Sequence, residues 1–353
     1  MAVPGPTEAD PPVSRAIVLE TPAPIATAPL RRVERAVPEP GPGELLVAVE
    51  VCGVCRTDLH VVEGDLAPRR AAVVPGHEVV GRVRALGPGA SGFAPGDRVG
   101  IAWLHASCGR CRYCLLDREN LCLAPRFTGY DVDGGYADHA LVPAAFAYRL
   151  PEGLPARELA PLLCAGIIGY RAYRRSDARK GGRLGLYGFG ASAHIVIQLA
   201  QHEGVRVYVA TRGARHQALA RRMGAEWVGG ATDTPPVKLD AAIIFAPAGA
   251  LVPVALAALD RGGTLATAGI HMSEIPPLDY GAHLFQERRL QSVTANTRAD
   301  GRALLRLAAE IPLRCSTEEF ALEEANEALR RLKDDEIEGA AVLVVGATSS
   351  ATA

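Results

Sequence analysis

The run from Arg183 to Ala210 constrains the fold most. Arg183-Leu-Gly-Leu-Tyr187 reads as a short buried strand. Gly188-Phe-Gly190-Ala-Ser-Ala193 reads as a glycine turn opening a helix to about His202, and Val205–Ala210 (VRVYVA) as a second strand. Strand, glycine turn, helix and strand within ~30 residues form the context in which such a turn binds a dinucleotide. Gly188 permits the tight turn and Gly190 lets the backbone approach a pyrophosphate. Ala193, in the third place, still allows close helix–strand packing. The helix start then presents its positive dipole end to phosphates. The competing reading is an ordinary α/β turn. The alternation continues with helices over Arg215–Met223 and Leu251–Leu259. Further strands are predicted at Glu226–Val228, Asp240–Phe245, Thr264–Ile270 and Arg289–Val293. This pattern predicts a doubly wound parallel sheet.

From Arg15 to about Pro143 the pattern changes to short strands (ELLVAVEV, VVGRVRALG, DRVGIAW, YADHALV) punctuated by Gly and Pro. It predicts a β-rich domain. Helices around Arg302–Glu310 and Glu323–Lys333 precede a last strand, Ala341–Val345, expected to return to that domain and make it discontinuous. A length of 353 residues also favours two domains. With charges nearly cancelling at −1, nothing suggests a nucleic-acid or membrane-surface partner, and none is expected. No apolar run reaches the ~20 residues of a spanning helix, and the N-terminus lacks a signal core, so a cytoplasmic location is expected. The Pro-rich start, 1–13, and the tail, 347–353, are expected to be disordered.

Eight cysteines at short spacings argue for metal in a reducing compartment. Cys108-x2-Cys111-x2-Cys114-x7-Cys122 places four thiols in fifteen residues, a spacing that closes tetrahedrally on one structural zinc. An iron–sulfur cluster is the other occupant four thiolates allow. A second constellation joins the stretch Cys52-Gly-Val-Cys55-Arg-Thr57-Asp58-Leu-His60 to His77-Glu78 and to the distant Cys164. One thiolate of that stretch, one imidazole and Cys164 have the composition of a zinc site with an open position.

Taken together and in order, Cys55, Gly76-His77-Glu78, the four-cysteine lobe, Gly96-Asp97-Arg98-Val99, Cys164 and the glycine fingerprint resemble the zinc-dependent medium-chain alcohol dehydrogenase family, bacterial branch. The similarity runs from about Arg15 to Val345. It implies a GroES-like β-rich catalytic domain over 14–163 and 294–346, and a Rossmann cofactor domain over 164–293. The family phrase Gly-Val-Cys-x-Thr-Asp makes Cys55, rather than Cys52, the catalytic ligand, with His77 and Cys164. Glu78 matches a carboxylate behind the metal, and Asp58 one that holds the histidine's other nitrogen. Thr57 matches a hydroxyl that passes the alcohol proton to the nicotinamide ribose, and His60 a histidine that delivers it to solvent; the alternative for His60 is a solvent-facing side chain with no role. Cys52, Cys315, His105 and His271 match nothing assigned.

The resemblance further implies two zinc ions per chain, a nicotinamide cofactor, and a homodimer or homotetramer. NAD sites end the second strand with an acid, whereas here Thr211-Arg212 follows Ala210. The missing acid favours NADP(H) slightly, with Arg212 as the partner of a 2′-phosphate; the alternative is a solvated loop charge. Gly339-Ala-Ala341 lacks an arginine that some relatives place on the pyrophosphate. Trp103 resembles an aromatic that narrows the pocket in small-alcohol enzymes. The expected activity is reversible hydride transfer between a primary or small secondary alcohol and the nicotinamide. A polyol dehydrogenase and a non-catalytic zinc-stabilised nucleotide-binding module are the alternatives.

Overall fold

Two sheets organise the chain, and the prospective site lies where they meet. The computed structural model describes residues 13–311 and 313–345. The tails expected at 1–13 and 347–353 lie outside these residues, with one correction: Val13 opens the strand Val13–Leu19. Val13 already stands in register there, opposite Ala36 of the strand Leu30–Ala36.

The first sheet is mixed and mostly antiparallel. Its spine is β1 (Glu44–Val54), and α1 (Arg56–Glu63) follows after Cys55 alone. Next come β2 (Glu78–Leu86) and β3 (Arg98–Ile101). β1 pairs antiparallel with β2, so that Cys52 faces Val79 and Gly53 faces Glu78. The closing strand Ala340–Val344 pairs with the other edge of β1, Leu343 opposite Cys52. The β-rich domain is therefore discontinuous: its spine is flanked on one edge by Glu78–Leu86 and on the other by Ala340–Val344, from the far end of the described chain. β1 is buried nearly throughout because both edges and both faces are covered.

The second sheet is wholly parallel. Its elements are α2 (Ala165–Arg175), β4 (Arg183–Tyr187), α3 (Ala191–His202), β5 (Arg206–Ala210), α4 (Ala214–Arg222), β6 (Trp227–Gly229), β7 (Leu239–Ile244), β8 (Leu259–Thr267) and β9 (Arg289–Ser292). The spatial order is β6-β5-β4-β7-β8-β9. This is the order of the Rossmann sheet, with its ligand crevice where β4 and β7 diverge in winding direction. After Asp240, β7 reads as an apolar run because helices cover both faces: Ala241, Ala242, Ile243 and Ile244 are fully buried. Burying each of the two isoleucine side chains contributes roughly 1.5–3 kcal/mol.

The predicted strands appear within a few residues of their expected bounds. β8 starts earlier than Thr264 because Leu259 already pairs with Leu239, ahead of a register shift. The helix expected near Arg302 begins at Arg298. Thr297 and Asp300 form a reciprocal cap there, satisfying amides that would otherwise be orphaned. Among the described residues no helix is long and apolar enough to cross a membrane.

Candidate metal and dinucleotide site

Two helix starts carry the two sulfurs. Cys55 is the N-cap of α1: its Sγ accepts from the Thr57 amide at 3.5 Å, and the Asp58 carboxylate accepts from the Cys55 amide at 2.9 Å. Cys164 occupies the same position before α2. Helix N-termini favour negative charge, and at Cys55 the Thr57 amide adds a donor to the sulfur. His77 follows Gly76, which holds φ +97° in a slot where an added Cβ would collide with Tyr136 at 2.3 Å. The collision excludes other residues and aims His77 inward.

The result brings Cys55, His77, Glu78 and Cys164 together, with one ligand atom of each within 4.8 Å of the others. Cys55 Sγ and Cys164 Sγ are 3.7 Å apart. That spacing is far too long for a disulfide. It equals the ~3.8 Å edge of a tetrahedron built on Zn–S bonds of about 2.3 Å. His77 Nδ1 meets Asp58 Oδ1 at 2.8 Å, while the buried Nε2 has no hydrogen-bond partner. An orphaned imidazole nitrogen facing two sulfurs fits a bound metal ion. The hydrogen bond from Cys164 pulls the Cys55 thiol well down, and the same contact pushes Cys164 up. The pair thus shares one proton, which a divalent cation would displace. Burial holds the Glu78 carboxyl well above its ordinary range, and the neighbouring Cys55 charge adds to this.

The lobe of Cys108, Cys111, Cys114 and Cys122 gathers its four sulfurs within the same limit. Cys111–Cys114 and Cys108–Cys114 separations of 3.6 and 4.0 Å again suit a tetrahedral ion. Backbone amides of Cys108 and Ala124 donate to Cys122 Sγ, and that of Cys111 to Cys108 Sγ. Such donors stabilise thiolate. The Cys114 amide, the largest contributor, lowers the Cys111 thiol to about 6.

One cavity of about 680 Å³ runs between the sheets and joins Cys55, His77 and Cys164 to Gly188 and Gly190. Gly188 holds φ +89°, and an added Cβ would meet the Ala246 amide at 3.0 Å. Nothing lies within 4 Å of a Cβ built on Gly190. The start of α3 has no side-chain cap, leaving its amides free toward the cavity. These features fit a diphosphate. Ala193 is buried in the helix–sheet interface.

Thr57 and Trp103 line the cavity; His60, one turn along α1 from Thr57, does not. Trp103 packs edge-on against His77 and stacks on Phe127, with Tyr130 beyond. Thr211 is buried and Arg212 exposed, and neither borders the cavity, whereas Arg215 and His216 do. Arg56 borders it as well. Both arginines escaped the sequence reading, although Arg56 stands inside the Cys55–His60 motif and Arg215 three residues beyond Arg212. On the opposite wall Gly339 and Ala340 are joined by Asp335 and Glu338. Of the unassigned residues, Cys52 is fully buried beneath His77's turn, and Cys315 packs on an apolar cluster. His105 is buried with Nδ1 unpartnered, and His271 is exposed.

Residues 41–152 match the family described as alcohol dehydrogenase GroES-like domain, and residues 191–310 the family described as zinc-binding dehydrogenase. The chain is 57% identical to the probable alcohol dehydrogenase AdhA of Mycobacterium tuberculosis, over 92% of this chain and 95% of that protein. Among solved structures it is similar to a cinnamyl alcohol dehydrogenase from Sorghum bicolor (27% identity, TM-score 0.85, 94% and 98% of the two chains). A cobalt- and zinc-bound thermostable alcohol dehydrogenase from Pyrobaculum aerophilum gives 27% identity and a TM-score of 0.84, over 94% and 100%. Fold and relatives agree on the class, an oxidoreductase built from a GroES-like and a Rossmann domain. The chain belongs to the zinc-dependent medium-chain alcohol dehydrogenase family.

Proposed function

We propose that Cys55, His77 and Cys164 hold a catalytic zinc ion and that Cys108, Cys111, Cys114 and Cys122 hold a structural one. The observation carrying the first assignment is the unpartnered His77 Nε2 facing two sulfurs 3.7 Å apart. When bound, the zinc supplies Lewis acidity that eases loss of the alcohol proton, and the nicotinamide accepts the hydride.

The chain's own residues do the rest. Asp58 fixes the His77 tautomer through Nδ1. Glu78, whose carboxyl burial pushes well above its ordinary range, is a reserve ligand behind the site. Thr57 Oγ1 takes the alcohol proton and passes it outward, and His60, three residues on along the same helix face, delivers it to water. Gly188, Gly190 and the start of α3 receive the diphosphate, with Arg56 as its cation. At the adenosine end, the lack of an acid after β5, with Arg215 facing the cleft and Arg212 and Thr211 beside it, supports NADP(H) over NAD(H). Asp335 and Glu338 oppose them, so the preference is a slight one.

The substrate end is walled by Leu66, Trp103, Phe127, Tyr130 and Ile168, with Arg69, its guanidinium over the Tyr130 ring and paired to Asp131, as a charged side chain beside them. An apolar, aromatic wall suits a primary or small secondary alcohol and its aldehyde, and disfavours a polyol, whose hydroxyls would lose water without replacement. Homodimeric or homotetrameric assembly is supported by β9 at an open sheet edge and by exposed Tyr280 and Phe285 close to it in sequence. Eight unpaired cysteines support the reducing cytoplasm as the setting.

The test is turnover with ethanol, a longer alcohol, a polyol and an aldehyde, each with both nicotinamides, on protein carrying measured zinc. Oxidation of the monohydric alcohols is expected. Silence on every substrate at full zinc loading would favour the non-catalytic module.

A further inference from the structure

His60 has a partner that the relay reading does not use. Its Nδ1 lies 2.8 Å from Asp65 Oδ2. The placement follows from how α1 ends. Gly64 adopts φ +83° as the C-cap and donates its amide to the Val61 carbonyl. Only a residue without Cβ takes this conformation cheaply, and Pro22 would meet such a Cβ at 3.0 Å. The reversed chain then passes back under the last turn, where the Leu66 amide donates to the His60 carbonyl at 3.2 Å. Asp65 is thereby brought beside a side chain five residues earlier, on the solvent side of the helix. The Asp65 side chain is 62% exposed and that of His60 only 20%.

This geometry has a chemical consequence. A carboxylate is an acceptor only, so Nδ1 must carry the hydrogen of the neutral ring, leaving Nε2 as the free lone pair. His271, on the loop after β8, tilts over the same ring at a centroid distance of 6.4 Å, which limits where that ring can turn. Resting on the relay reading above, we infer that Asp65 is a positioning residue for His60, fixing the tautomer in which Nε2 receives the proton coming from Thr57. The step balances simply. Nε2 gains the proton released at Thr57 Oγ1, Nδ1–H stays on Asp65, and the imidazolium then returns one proton to water.

Nitrogen-15 imidazole spectra of the zinc-loaded protein read the tautomer directly. The native chain should show Nδ1–H with Nε2 unprotonated for His60, Asp65→Glu should keep that signature, and Asp65→Asn should lose it to a mixture. In turnover, His60→Gln should lower kcat for alcohol oxidation at least about tenfold with little change in KM. Asp65→Asn should lower kcat by a smaller factor, and add nothing in the His60→Gln background. An unchanged tautomer in Asp65→Asn, or a further loss of rate from it when His60 is absent, would overturn the assignment. A tautomer change together with full activity in His60→Gln would instead defeat the relay while leaving the Asp65–His60 coupling in place.

Discussion

One carboxylate, Asp58, ties together two prospective zinc ligands: Oδ1 meets His77 Nδ1 at 2.8 Å, and Oδ2 accepts from the Cys55 amide at 2.9 Å. The amide of Gly76 and the hydroxyl of Tyr136 complete its shell. The side chain both closes the capping box of α1 and orients the imidazole. Asp58→Asn presents a donor to one of these partners and removes the charge. Zinc affinity at the first site is expected to fall about 10- to 100-fold. Competition with a chromophoric chelator measures it, and the four-cysteine lobe should keep its ion.

The two metal sites can be separated by counting. Cys164→Ser should leave one zinc per chain and no turnover, with the fold intact, because the lobe does not depend on α2. Cys111→Ser should also leave one zinc, but with a lower melting temperature, since the lobe has exposed Leu115, Leu116 and Leu123 and little core of its own. Elemental analysis beside thermal unfolding distinguishes the two. Two zinc ions in either variant would contradict the ligand assignment.

Gly53 is required by Glu78. A Cβ there would lie 1.9 Å from Glu78 Oε2 and 2.8 Å from Glu78 Cβ. Glu78 is itself buried and has nowhere to retreat. Gly53→Ala is expected to cost about 1–3 kcal/mol through overpacking, read as a lower denaturation midpoint, and to slow turnover by shifting the carboxyl behind the ligands. A midpoint and rate equal to the native chain's would show that the slot is looser than its geometry implies.

Cofactor choice should follow Arg215 more than Arg212, because Arg215 faces the cleft. Arg215→Ala is expected to raise KM for NADPH roughly three- to tenfold, the scale of one partly exposed charge-assisted contact. NADH should change less. Equal effects on both cofactors, or a larger effect from Arg212→Ala, would remove Arg215 from that role.

Acid stability should depend on His194. Burial pushes this imidazole down to about 4, with its Nε2 on the Phe189 carbonyl. Between about pH 6.5 and 4 the unfolded chain therefore binds a proton that the folded chain refuses. Stability contributed by the neutral ring is present above 6.5 and drains away as pH falls. The full descent amounts to about 3 kcal/mol at 1.36 kcal/mol per tenfold. His194→Gln should flatten the fall of melting temperature across that window relative to the native protein. Parallel curves would refute the linkage.

Much of this molecule was legible in the residues alone. The strand–turn–helix at 183–210 announced the Rossmann sheet because buried parallel strands are short and apolar and the turn needs glycine. The lobe announced itself because thiols four deep in fifteen residues have few other uses. Less legible were α1 and α2, whose N-caps are cysteines rather than the usual hydroxyl or carboxylate residues, so no capping signal marked them. Arg215 and Arg56 were missed for a different reason. A charge on a helix start reads the same in sequence whether it faces water or a cleft.

Chemical identity was thus decided locally: which side chains can ligate, which turn can hold a phosphate, and where the chain changes from one periodicity to another. Convergence was decided by the fold. Cys55 and Cys164 stand 109 residues apart in sequence and 3.7 Å apart in space. Only the packing of α1's start against α2's start, with β2 delivering His77 between them, sets that distance. Donor type is a property of each residue, whereas separation belongs to the packed chain.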